Sequence, residues 1–128
     1  MPARYVIDRQ DRTVRTVFSG VLTRNEVAEQ ARKLGDDPDF DPAFSELVDL
    51  TAASEVRLGN EDFRMLAQVD PFHPESKRAF VVLSAAIYGV TRMFQLLRDS
   101  SANIAIFKTT EEAVAWLREP GLTPSAHS

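Results

Sequence analysis

The sequence predicts an α/β domain: a mixed five-stranded sheet with an N-terminal antiparallel hairpin and four helices, in the order ββαβαβαβα. Three observations carry that expectation. Two β-branched runs near the N-terminus flank a short polar turn, which is the pattern of a hairpin. Beyond them, apolar runs of strand length alternate with segments of helical spacing, the pattern of parallel strands joined by right-handed crossovers. Two Thr-x-x-Glu segments then mark helix starts as capping boxes.

In chain order, residues 4–9 and 13–19 are the paired strands, with Gln10-Asp11-Arg12 as the turn and Gly20 as the end of the second. Thr23-Arg-Asn-Glu26 opens the first helix, whose Val27, Ala28, Ala31 and Leu34 share a face and whose stop is Gly35. Asp36 to Pro42, with two prolines and four acids, is a loop. Residues 44–50 form the third strand, with Leu47, Val48 and Leu50 buried. A connection over 51–59 leads to a short helix opened by Asn60 that carries Phe63, Leu66 and Ala67. Asp70-Pro-Phe-His-Pro74 breaks that helix. Ala79-Phe-Val-Val-Leu83 has the unbroken apolar character of a central strand covered on both faces. Residues 87–97 form a helix with Ile87, Val90, Phe94 and Leu97 aligned. A fifth strand at 103–107 precedes the last helix, opened by Thr109-Thr-Glu-Glu112 and packed through Ala113, Val114, Trp116 and Leu117. The single domain is expected over residues 4–119, with a flexible tail at 120–128.

Composition narrows the function. The 128 residues are 44% hydrophobic and 27% charged, with net charge −4 and no cysteine. Disulfides, thiolate metal sites and cysteine nucleophiles are therefore excluded. The mild acidity argues against nucleic acid as partner. No run reaches the roughly 20 apolar residues of a membrane span, and no signal peptide is visible, so a soluble cytoplasmic protein is expected. Glycine-rich phosphate loops and the G-x-S-x-G elbow are absent from the sequence. Asp37-x-Asp39-x-Asp41 opens like a calcium loop, but Pro42 and Val48 stand where the turn glycine and the chelating glutamate belong. His73 has no second histidine within the domain. No metal or cofactor is expected, and no nucleophile–base pair can be nominated for an enzyme.

In open α/β sheets, ligands gather beyond the carboxyl ends of parallel strands. There the sequence places Thr51, Ser54, Ser84, Tyr88, Gly89, Arg92, Lys108 and Thr109 as tentative ligand-binding residues, on loops that precede helix N-termini favourable to anions. Gly89 inside a helix calls for close packing or for room beside Tyr88, and Arg92, four residues on, is a candidate partner of Asp49. A pocket beside Tyr88 is expected to hold a small apolar or anionic ligand, or the edge to meet a protein partner. The edge hairpin, with Phe40, Phe44 and Phe72, predicts a homodimer.

Phe18-Ser-Gly-Val-Leu-Thr23, Leu47-Val-Asp-Leu50, Tyr88-Gly-Val-Thr-Arg-Met-Phe94 and Glu111-Glu-Ala-Val-Ala-Trp-Leu117 resemble the SpoIIAA-like proteins, small bacterial relatives of STAS domains grouped with Sec14-type lipid-binding folds. The resemblance spans about Tyr5 to Leu117. It implies a four-helix mixed-sheet domain that binds rather than catalyses, with lipid as one form of ligand. STAS antagonists switch partners by phosphorylation in an Asp-Ser-Ser-Gly-type motif. The corresponding stretch here, Asp49 to Asn60, lacks the paired serines and leaves Ser54 and Thr51 as the phosphorylation alternative.

Overall fold

A computed structural model of the chain describes residues 3–98 and 103–119; the tail expected at 120–128 lies outside them. Strands β1 (Ala3–Asp8), β2 (Thr13–Thr23), β3 (Ser45–Arg57), β4 (Arg78–Val81) and β5 (Ile104–Phe107) combine with helices α1 (Arg24–Asp36), α2 (Asn60–Val69), α3 (Ala85–Leu96) and α4 (Thr110–Leu117). The sheet runs in sequence order, with β1 antiparallel to β2 and every other pair parallel. This is the mixed α/β sheet that the hairpin and the alternating pattern predict.

The hairpin closes through side chains and one strained residue. Asp8 accepts the Asp11 amide at 2.9 Å. Arg12 takes a left-handed φ of 54°, which turns its carbonyl onto the Ser45 amide at 3.0 Å. Both predicted capping segments engage. Glu26 accepts from the Thr23 amide and hydroxyl at 3.0 and 2.8 Å, and the Thr109 hydroxyl accepts the Glu112 amide at 3.2 Å.

Boundaries differ from the sequence reading, most of all in β2 and β3; β4 ends at Val81, leaving Leu83 exposed, and α3 begins at Ala85. Gly20 does not end β2. Its φ is 70° and it pairs with Ala53, while the next residue, Val21, pairs with Glu55, so that Ser54 of β3 is the extra residue of a bulge. Residues 51–57 are not a connecting loop but the second half of β3, paired in parallel with Ser19–Thr23. Ala52 and Ala53 are poor strand formers, and the partner strand overrides that preference.

The layers follow the two-residue period of the strands. Leu47, Ala79 and Val81 point to one face and bury against Ala113 of α4. Phe18, Val48, Leu50, Phe80, Val82 and Ile104 point to the other, against Ile87 of α3. Helix α1 lies across β1 and β2, where Leu34 joins Val14, Phe44 and Phe72. Helix α2 is different: its close backbone approach is chiefly to α1, not to the sheet. Among the described residues, no helix is long and apolar enough to cross a membrane.

Candidate functional site

All eight residues selected from the sequence are exposed, and no side-chain hydrogen bond among the described residues joins any two of them. Ser84 and Thr109 cap helices: the Ser84 hydroxyl accepts the Ala86 and Ile87 amides at 3.2 and 3.4 Å. Thr51 donates to Asp49 at 2.6 Å, and Ser54 sits on the exposed extension of β3 rather than before a helix. The expected Arg92–Asp49 pair is not formed. Arg92 bonds Gln95 on its own helix, and Asp49 turns to Thr51. A Cβ on Gly89 would meet nothing within 4 Å, so close packing does not explain that glycine. The acidic loop spends its carboxylates on turns, Asp37 on the Asp39 amide and Asp41 on the Ala43 amide, both at 2.9 Å. His73 Nδ1 accepts the Glu75 amide.

The chemistry that the fold does concentrate lies elsewhere, between the sheet and helices α1, α2 and α3. Glu46 and Arg78 are paired across β3 and β4, with side chains on the same face as Val48 and Phe80. Arg78 Nη2 and Nε donate to Glu46 Oε1 at 2.8 and 3.1 Å, and Nη1 donates to Asp70 at the end of α2. Thr16 donates to Glu46 Oε2 at 2.8 Å, and Arg98 donates to Asp70 at 2.8 Å. The two carboxylates are each 7% exposed at the side chain and the Arg78 guanidinium 12%, so this is an interior network. Burial alone would lower the Arg78 pKa; the facing Glu46 and Asp70 more than offset it and hold it above the ordinary value. Phe72 and Phe94 flank the guanidinium at 4.8 and 5.9 Å from their ring centroids, adding cation–π attraction.

Beside this network is a cavity of about 120 Å³ with mostly apolar walls, none of them from the eight residues above. It opens where α2 stands off the sheet. Gln30 of α1 lines it, is only 7% exposed, and has no hydrogen-bond partner for Nε2 among the described residues. The sequence reading missed Gln30, Glu46, Asp70, Arg78 and Arg98. Two of them left a signal. Glu46 shares the two-residue period of Val48 and Leu50, and Gln30 falls three after Val27 and four before Leu34, on the apolar stripe. A polar residue on an inward register is the informative exception.

No family model and no curated protein matches the sequence. One matching solved structure is an uncharacterized protein from the DUF3478 family with a SpoIIAA-like fold, from Shewanella loihica PV-4. It is 19% identical, with 90% of this chain and 93% of that chain covered and a TM-score of 0.64. Likeness at that identity speaks to architecture, and with the strand order and helix placement above it establishes that the chain has the SpoIIAA-like fold that its sequence resembles.

Proposed function

We propose that the domain is a non-catalytic binding module that engages a protein partner through the outer face of α3, the helix that starts at the carboxyl edge of the sheet. One observation carries the reading. Of eight large apolar side chains exposed in the described residues, five lie in one short stretch: Leu83, Tyr88, Met93, Leu96 and Leu97. Tyr88, Arg92 and Leu96 follow one another at four-residue spacing, and Gly89, Met93 and Leu97 form the neighbouring row. Together they make a continuous surface with a flat, open strip at Gly89.

Arg92 is the sole charged residue of α3, so the surface suits an apolar partner that brings one carboxylate or carbonyl to meet it. Tyr, Met and Arg are also the residue types that concentrate in the cores of interfaces. Site-specific photocrosslinking in cells tests the proposal. A crosslinker at Tyr88 is expected to capture one defined partner, and Met93→Glu with Leu96→Glu to abolish the adduct while leaving the melting temperature within a few degrees. Equal capture from Arg4 on β1, or an adduct indifferent to the two glutamates, overturns it. An adduct of twice the chain mass identifies the partner as a second copy.

A further inference from the structure

We infer that the cavity between the sheet and helices α1, α2 and α3 is a binding site for a small uncharged molecule with an apolar body and one hydrogen-bond acceptor, which the Gln30 side-chain amide meets. The walls dictate the body. Phe18, Leu22, Phe63, Leu66, Phe80 and Phe94 offer apolar surface. The space, about 120 Å³, is somewhat smaller than the roughly 150 Å³ apolar cavity known to take up benzene. A ring with a short substituent therefore fits only with an outward displacement of α2, the helix whose close backbone approach is to α1 rather than to the sheet.

Gln30 dictates the acceptor. It lines the cavity, and its Nε2 is buried with no partner among the described residues. A buried donor without an acceptor opposes folding, and an acceptor atom placed in the cavity removes that penalty.

The charged groups dictate neutrality. Arg78 and Arg98 face Glu46 and Asp70, two cations against two anions. The remaining carboxylate oxygens are also occupied, Glu46 Oε2 by Thr16 and Asp70 Oδ1 by the Phe72 amide. The Thr91 hydroxyl is spent on the Ile87 carbonyl at 2.8 Å. A charged ligand would enter as an uncompensated buried charge, whereas a ketone, amide or ester enters without one.

The test uses the isotope-labelled full chain and three probes, acetophenone, ethylbenzene and benzoate, titrated by two-dimensional NMR. Acetophenone is expected to shift the Gln30 side-chain NH₂ resonances and the cavity methyls, and to bind about five- to tenfold tighter than ethylbenzene, the worth of one buried neutral hydrogen bond. Benzoate is expected to bind at least tenfold more weakly than acetophenone. In Gln30→Met the preference for the ketone shrinks to within twofold, while the unliganded protein melts a few degrees higher because the unpaired amide is gone. The inference is overturned if acetophenone and ethylbenzene bind alike with the Gln30 resonances unmoved, if benzoate is the tightest probe, or if no probe reaches the cavity. The wild-type titrations decide the matter alone should the variant fail to fold.

Discussion

Arg78 shows how a single residue can organise an interior. Its guanidinium ties the start of β4 to the start of β3 through Glu46 and to the end of α2 through Asp70. Removing it leaves two carboxylates buried without their principal partner. Arg78→Met is expected to cost about 3–5 kcal/mol in urea unfolding, the usual consequence of breaking a buried pair. Arg98→Met is expected to cost less, because Asp70 keeps Arg78. Near-equal losses for the two variants would show that Arg78 has no privileged position in the network. Glu46 was missed, although its spacing with Val48 and Leu50 marks it as an inward charge. The far side of the network left no such signal, because Asp70 and Arg98 come from a loop and a helix end that no local pattern brings to Arg78.

Among the elements, α3 carries the clearest conflict between local and tertiary demands. Glycine inside a helix is unfavourable by roughly 1 kcal/mol relative to alanine, and the fold offers no contact that requires it at position 89. Gly89→Ala is therefore expected to stabilise the isolated domain by about 1 kcal/mol in chemical denaturation. If α3 is the docking face, the same substitution weakens partner capture while raising stability. A stability loss instead would mean that the backbone there is more constrained than its surroundings indicate.

The junction of β1 with α1 gives a pH signature. Burial, and then the hydrogen bond to Asp37 at 2.8 Å, push the Tyr5 hydroxyl pKa from 10.0 up to about 12. The fold thus favours the protonated phenol. Its contribution is complete below pH 10 and is lost as pH rises through 12. Wild type is expected to be more stable than Tyr5→Phe at neutral pH, with the difference closing across pH 10–12; a constant difference across that window would contradict it.

At the level of the molecule, one face of the sheet is closed tightly and the other is not. Helix α4 seals β3 and β4 through Ala113, which is fully buried, while α2 stands away and leaves the cavity. Local opening follows such differences in packing. Native-state hydrogen exchange is expected to show α2 amides exchanging well ahead of those of β3, β4 and α4, with acetophenone slowing α2 specifically. Equal protection of α2 and α4 would place the cavity in a rigid shell closed to ligands.

The element order, the hairpin, both capping segments and the presence of the apolar strand β4, though not its end at Val81, were legible in the sequence, because each is set by a local spacing of apolar, β-branched or capping residues. The reach of β2 and β3 beyond Gly20 and Leu50 was not, since alanines pair there only because a neighbouring strand supplies the hydrogen bonds. Nor was the interior site. Thr51, Ser54, Lys108 and the helix caps were placed at the carboxyl edge by a general rule about α/β sheets, whereas Glu46 and Arg78 stand at the opposite, amino end of their strands. Gln30, Glu46, Asp70, Arg78 and Arg98 lie 68 residues apart at the extremes. A buried charge or amide is tolerable only where partners from distant elements converge, and that convergence is a property of packing rather than of any stretch of chain.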